Sequence, residues 1–254
     1  IFSDKSVNNP TSWHWSFGDG DTSLLQSPLH TYSDTGNYTV TLIVSNPYGS
    51  DTIIKPQYIS VKGLICPSSF VDTRDTNTYK AALFGKQCWM AQNLAYLPVV
   101  SSVDIYSVNN PLYYVYDYFG SNVAQAKSTV SYQQYGVLYN WNAAMDSYSS
   151  SSTDPSGIPG ICPQGWHLPS DQEWKVLEMH LGMSPAEANG TNNNGTYEGS
   201  KLAGVDSLWL NGPLKSCQAF GTSGFDAVPG GQKHPTNTGS GSSLYQTMLG
   251  YYWT

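Results

Sequence analysis

The stretch WHWSFGDGD, residues 13–21, decides the fold of the N-terminal part of the chain. Its aromatic residues Trp13, Trp15 and Phe17 stand two positions apart and alternate with polar residues, which is the period of a β-strand with one apolar face. Residues 18–21 are glycine and aspartate, the turn formers that connect the strands of hairpins. The stretch therefore predicts a strand that ends in a tight turn.

The remainder of residues 1–62 continues this pattern. Apolar and polar residues alternate again over residues 38–45, the segment 46–49 is rich in turn formers, and residues 53–61 supply another strand. Short strands with frequent turns and no helical period predict an immunoglobulin-like β-sandwich.

Three motifs within residues 1–62 resemble those of a PKD (polycystic kidney disease-type) domain. They are WSFGDGDTS at 15–23, PLHTY at 28–32 and GNYTVTLIVSN at 36–46. The resemblance implies the immunoglobulin-like sandwich that is common in bacterial surface proteins. Such domains have a further strand ahead of the segment that reads FSDKS here, so we expect the first strand of the domain to be missing.

Residues 63–254 have a different sequence pattern and resemble a second family. The motifs that carry this resemblance follow one another along the chain: DTRDTNTYK at 72–80, GKQCWMAQNLAY at 85–96, YGVLYNWNAAM at 135–145, GICPQGWHLPSDQEW at 160–174, FDAVPGG at 225–231 and the final GYYWT. They are similar to the Fibrobacter succinogenes major paralogous domain, which occurs in secreted and surface proteins of Fibrobacter and Bacteroidota. The resemblance implies an α+β fold like that of C-type lectins and formylglycine-generating enzymes. It also implies that C-terminal strands are missing beyond Thr254.

The composition excludes several classes of partner. The net charge is −7, Arg74 is the single arginine, and basic residues form no run, so the chain lacks the patch that a nucleic-acid backbone requires. No apolar run approaches the ~18 residues of a membrane span. The aromatic fraction of 13% separates the chain from disordered proteins, which are poor in aromatic residues.

The four cysteines, Cys66, Cys88, Cys162 and Cys217, are widely spaced and include no CxxC pair. This spacing favours disulfides in an oxidising compartment over free thiols, and both of these over a zinc site. If the strands on either side of residues 75–77 form a hairpin, Cys66 and Cys88 face each other across it, which favours a bond between them. Cys162 would then pair with Cys217, and the alternative joins Cys66 to Cys162.

The segment ICPQGWHLPSDQEW, residues 161–174, gathers residue types that metals and general acids use. Ser170 and Glu173 fit the S-x-x-E capping box at the start of a helix, and acidic residues in a first turn suit the helix dipole. We interpret Asp171 and Glu173 as parts of a capped helix. The role of His167, which has no partner at metal-binding spacing, stays open.

Other candidate sites rest on short patterns. The candidate calcium ligands are carboxylates on two turns, Asp19, Asp21, Asp72 and Asp75, although no EF-hand pattern is present and such residues also favour turns by themselves. No other cofactor is predicted. The candidate glycosylation sites are the sequons at Asn37, Asn189 and Asn194, and the D-T-I and D-S-L triplets at Thr52 and Ser207.

The predicted function is that of an extracellular structural or adhesive surface protein without enzymatic activity. The G-x-S-x-G nucleophile motif is absent, and no cysteine stands near the C-terminus, where formylglycine-generating chemistry needs it. An incomplete sandwich exposes a sheet edge, so we expect the chain to associate with itself, as in a homopolymeric filament, or with neighbouring domains of a longer chain. The alternative is a carbohydrate-binding module of a polysaccharide-degrading system, with glycans as partners of its many aromatic residues.

Overall fold

The structure, a computed structural model, describes residues 1–63, 65–102, 104–190, 195–233, 243–244, 248–250 and 252. The chain divides into two compact units, an N-terminal unit of residues 1–65 and a C-terminal unit of residues 66–254. The boundary predicted from the sequence, after residue 62, lies just ahead of the observed one. Within the described ranges, no helix is long and apolar enough to cross a membrane.

The N-terminal unit is built on one antiparallel sheet. Its strands are β1 (Ser12–Ser16), β2 (Thr22–Ser23), β3 (Gly36–Asn46) and β4 (Gly49–Val61), in the order β2-β1-β3-β4. The predicted alternation is confirmed, because the core of the unit consists of side chains from one face, Trp15, Phe17, Val40 and Leu42. Phe2 and Tyr32 cover this face from outside the sheet. The described residues of the unit form no second sheet, so a complete two-sheet sandwich is not observed.

The C-terminal unit combines short antiparallel sheets with short helices. Its strands are β5 (Ser69–Val71), β6 (Thr78–Phe84) and β7 (Gln87–Met90) in one sheet, β8 (Tyr113–Tyr114) with β9 (Leu138–Tyr139), and β10 (Gln232–Lys233) with β11 (Ser243–Leu244). Its helices are α1 (Val123–Lys127), α2 (Val130–Tyr135), α3 (Trp141–Met145), α4 (Asp171–Leu181), α5 (Pro185–Ala188), α6 (Glu198–Leu202) and α7 (Pro213–Ser216), with a 3₁₀ turn at Asp206–Leu208.

Two apolar clusters hold this unit together. One contains Val115, Ala126 and Ile161, and it gathers the loops and short helices of the middle of the chain. In the other, Leu177 and Leu181 of α4 are buried against the aromatic side chains of β6, β7 and the loop at residue 225. Leucines about one turn apart lie on the same face of a helix, and this is the face that α4 buries.

The disulfide between Cys66 and Cys88 is present, with Cα atoms 5.3 Å apart. The pairing is as predicted, but the reason given for it was wrong. Cys66 precedes β5 and Cys88 lies on β7, and these strands flank β6, so the two residues do not face each other in one hairpin. The strand after the turn reverses again at residues 85–86, which the sequence argument did not include.

The pairing of Cys162 with Cys217, and its alternative with Cys66, are both wrong. Cys162 and Cys217 are free thiols. Cys162 directly follows Ile161 in the cluster around Val115, whereas Cys217 ends α7. Once Cys66 and Cys88 are bonded to each other, nothing in the fold requires the two remaining cysteines to meet.

Candidate functional site

The segment at residues 161–174 folds around the carboxylate of Glu173, in the first turn of α4. Its Oε2 accepts hydrogen bonds from the backbone N–H groups of Ser156 at 3.0 Å and Ser170 at 2.9 Å, and from the Ser170 hydroxyl at 3.2 Å. The Ser170 hydroxyl in turn accepts from the Glu173 N–H at 3.2 Å. The predicted capping box is thereby confirmed.

The other carboxylate oxygen of Glu173 is the hydrogen-bond partner of His167. Glu173 Oε1 lies 2.7 Å from His167 Nε2, and the carboxylate side chain is only 8% exposed. Burial opposes ionisation, but the hydrogen bonds from Ser170, His167 and Ser156 outweigh it, so the pKa of Glu173 lies below its ordinary value. A carboxylate with all these donors already bound is a structural anchor and a poor proton acceptor for a substrate.

Further contacts tie this segment to its surroundings. The Ser156 hydroxyl donates to the Leu168 carbonyl, and Ile158 and Leu168 form an antiparallel bridge. Trp166 stacks on Phe70 of β5, with ring centroids 4.5 Å apart. A shallow pocket lies beside the segment, lined by Trp141, Met145, Ser150, Ser151, Ser156, Ile158, Leu168 and Pro169.

The single arginine of the chain forms an ion pair with a buried aspartate. Arg74 Nε lies 2.9 Å from Asp72 Oδ1 and Nη2 lies 2.6 Å from Oδ2, while Asp72 is only 1% exposed. Arg74 Nη1 also donates to the Ile161 carbonyl at 2.8 Å, and the guanidinium lies 4.0 Å from the centre of the Tyr96 ring. Arg74 therefore links the turn after β5 to the segment at residue 161 through these hydrogen bonds.

This geometry corrects the calcium interpretation of the turn at residues 72–77. The Asp72 carboxylate is neutralised by a guanidinium, and hydrogen bonds from Arg74 keep its pKa below the ordinary value although burial opposes them. Asp75 accepts hydrogen bonds from the backbone and side-chain nitrogens of Asn77 at 3.1 and 2.8 Å. Both carboxylates thus serve the turn itself, which is the usual role of aspartate there.

The Cys162 thiol lies near this ion pair but is not activated by it. Burial raises the pKa of Cys162 to about 12, although the charge of Arg74 acts in the opposite direction. Because the thiolate is the reactive form of cysteine, the raised pKa makes Cys162 a poor nucleophile at neutral pH.

The other turn with candidate calcium ligands contains a real cluster. One carboxylate oxygen each from Asp19 and Asp21 and a ring nitrogen of His30 lie within 4.8 Å of one another. His30 Nε2 is 2.6 Å from Asp19 Oδ2, and its ring stacks on Phe17 at 4.0 Å. Calcium takes about six to eight oxygen ligands, so a histidine nitrogen does not suit it. The His30–Asp19 hydrogen bond already explains why these groups are close.

The glycosylation candidates lie mostly at the surface. Asn37 on β3, Thr52 on β4, Asn189 after α5 and Ser207 in the 3₁₀ turn are all exposed. Asn194 lies outside the described residues. The described sites are therefore accessible to a modifying enzyme.

Comparisons with known proteins identify both parts of the chain. Residues 83–254 match the model of the Fibrobacter succinogenes major domain, and residues 1–61 match that of the PKD domain. The PKD1 domain of the Vibrio cholerae metalloprotease PrtV, known from a crystal structure, is 41% identical over 21% of this chain and 64% of that one, with a TM-score of 0.20. The chain thus covers 64% of that relative's length. No curated protein matches the chain significantly.

Proposed function

The chain belongs to the Fibrobacter succinogenes major domain family and carries a PKD domain ahead of that domain, and on this premise we propose that it is an extracellular structural or adhesive surface protein that acts by self-association. PKD domains are typical of extracellular proteins. The Cys66–Cys88 disulfide supports the same location, because such bonds persist in oxidising compartments. We also propose that the chain has no enzymatic activity.

The observation that carries self-association is the edge strand β4. It is the outermost strand of its sheet, and across the described residues no other strand pairs with its outer side. Two neighbouring isoleucines in it, Ile53 and Ile54, are 52% and 59% exposed. A long edge strand with exposed apolar side chains is a template for pairing with another chain.

The C-terminal unit supports the structural part of this proposal. Its buried carboxylates are those of Glu173 and Asp72. Glu173 is bound to several donors and Asp72 is bound to Arg74, and both hold segments of the fold together. Cys162 is held as a neutral thiol by its burial. These groups stabilise the fold and leave no reactive side chain among them, which suits a structural or adhesive protein.

The test is the size of the intact chain in solution. Multi-angle light scattering over a wide concentration range should give a mass that rises above the 27.7 kDa of one chain. A mass of one chain at every concentration would contradict the proposal.

A second candidate function is carbohydrate binding, favoured by the pocket beside residue 168. Trp141 is 41% exposed and lines this pocket together with Ser150 and Ser151, and sugar-binding sites combine aromatic side chains with hydroxyl groups. A glycan array with and without calcium should then show binding that a Trp141→Ala variant loses. An array without binding would eliminate this candidate.

A further inference from the structure

We propose that β4 pairs antiparallel with β4 of a second copy of the chain, in a register centred on Ile53. This inference rests on the proposed self-association and names the surface and the register that produce it. Three features of β4 support this pairing: the direction of its backbone groups, the charges along the strand and the exposure of its apolar side chains.

The direction of the backbone groups follows from the β3–β4 hairpin. A two-residue turn joins the strands, so Asn46 and Gly49, which flank it, form a hydrogen-bonded pair, and such pairs alternate along the ladder. The register is unbroken from this pair to Val40 and Lys55. Odd-numbered residues of this stretch of β4 therefore bond to β3, and even-numbered residues turn their N–H and C=O groups outward.

Two residues of β4 agree with this assignment. The N–H of Thr52 bonds to the side chain of Asp51 at 2.8 Å, as expected for a group that has no partner in β3. Pro56, which has no N–H, also falls on an outward position, where a sheet edge tolerates proline. The outer side of β4 thus presents the backbone groups of Thr52 and Ile54 as its central donors and acceptors.

If an antiparallel partner is centred on Ile53, the outward N–H and C=O groups of Thr52 and Ile54 all form hydrogen bonds with it. Each residue then faces the one equally far from Ile53 on the other strand, so Thr52 lies opposite Ile54 of the second copy. Both residues point their backbone groups outward, so the N–H of each meets the C=O of the other on both sides of the axis. The Thr52 N–H would exchange its bond to Asp51 for a bond to the second strand.

The charges of the strand select the same register. With Ile53 at the centre, Asp51 faces Lys55 of the second copy, and Lys55 faces Asp51. Opposite charges directly across a strand pair stabilise it, and like charges destabilise it. Centring on Asp51 or on Lys55 would instead place two identical charges opposite each other. The charges of this edge are thus complementary to those of a second copy.

The apolar side chains also fit. Ile53 pairs with Leu42 of β3, so its side chain lies on the face of the sheet that carries the core, although it remains half exposed. In the proposed pair, the two Ile53 side chains form a non-hydrogen-bonded pair, in which side chains approach most closely. The second copy therefore extends the apolar face where the single chain leaves it uncovered.

Disulfide trapping tests the register. Ile53→Cys should give a disulfide-linked dimer on mild oxidation, because the two thiols would face each other across a non-hydrogen-bonded pair. Ile54→Cys is the matched control, since it is the next residue, equally exposed, and faces Thr52 instead of itself. The wild-type chain sets the background from Cys162 and Cys217. We expect several-fold more covalent dimer from Ile53→Cys than from Ile54→Cys, and equal yields would overturn the register.

Charge reversal tests the surface by a second route. Asp51→Lys and Lys55→Asp should each weaken association measured by light scattering, and the double variant should restore it. If the double variant associates no better than the single ones, the proposed pairing is wrong. If the wild type associates but neither trapping nor reversal behaves as expected, self-association stands and uses another surface. If the wild type is monomeric throughout, the pairing and the proposed function both fall.

Discussion

At the scale of single residues, the carboxylate of Glu173 joins three segments of the chain. It receives the N–H of Ser156 from the loop before residue 160, the N–H and hydroxyl of Ser170 from the helix cap, and the ring of His167. If the carboxylate were removed, the donors of Ser156 and Ser170 would be left without a partner in a buried place, and such losses are costly.

Glu173→Gln should therefore lower the free energy of unfolding by about 2–3 kcal/mol, because the amide places a donor where the carboxylate has only acceptors. Urea denaturation followed by tryptophan fluorescence would measure this. Glu187→Gln is the matched control, since Ser184 and Glu187 form the same capping box at an exposed helix start. A loss of equal size in both variants would show that Glu173 does no more than cap its helix.

The same residue predicts a dependence of stability on pH. Its pKa is lower in the folded protein than the ordinary value of 4.5, so its contribution is complete above that value and is lost as the pH falls through the lower, folded pKa. Between about pH 5 and 3, wild type should lose more stability than Glu173→Gln. The difference between the two curves isolates Glu173 from other carboxylates, and parallel curves would contradict the assignment.

The second prediction at this scale concerns the ion pair of Arg74 with Asp72. Arg74→Met should cost about 3–5 kcal/mol, because it leaves the buried Asp72 carboxylate without its partner. Asp72→Leu combined with Arg74→Met should recover part of that loss, since no unpaired charge then stays buried. Thermal denaturation of both variants would check this, and a double variant less stable than the single one would argue against the ion pair as the source.

How far these residues follow from sequence depends on the distance between partners. The capping box of Ser170 and Glu173 is a pattern of neighbouring residues and was predictable. The bond between Arg74 and the Ile161 carbonyl joins residues 87 positions apart, and no local pattern encodes it. The contact of His167 with Glu173 depends on the loop between them, which is why the role of His167 could not be assigned beforehand.

At the scale of elements, the disulfide fixes the segment before β5 to β7. Reduction of the Cys66–Cys88 bond, or replacement of both residues by alanine, should lower stability by about 2–4 kcal/mol, because the unfolded chain regains conformational freedom. The measurement is denaturation with and without reductant. An unchanged midpoint would show that the bond does not constrain the fold.

The free cysteines give a separate prediction about the same elements. In the native protein Cys162 should react negligibly with a thiol reagent at neutral pH, since burial raises its pKa to about 12. After unfolding without reductant, both Cys162 and Cys217 should react, and Cys66 and Cys88 should not. Mass spectrometry of the labelled peptides would identify each residue, and native labelling of Cys162 would contradict the assignment.

The strands and helices show where pattern-based prediction succeeds. Alternation over residues 38–45 places Val40 and Leu42 on the core side of β3, and the leucine spacing in α4 identifies its buried face. The short elements of the C-terminal unit have no such period. Their positions depend on packing between distant segments, as in the cluster that joins Val115 to Ile161, and single-sequence patterns do not encode that packing.

At the scale of the whole molecule, the order of the two units followed from motifs, and the family matches agree with it. The lectin-like fold of the C-terminal unit rests on resemblance alone and stays a prediction. Of the expected sandwich, the described residues form one sheet with an exposed edge, and the proposed assembly rests on that edge.

The most direct test of assembly through this edge is amide hydrogen exchange in β4 at increasing protein concentration, resolved residue by residue. Exchange at Thr52 and Ile54, whose N–H groups point outward, should slow as concentration rises, because a second strand protects them. Exchange at Ile53 and Lys55, which bond to β3, should stay unchanged. Rates at Thr52 and Ile54 that do not depend on concentration would contradict self-pairing of β4.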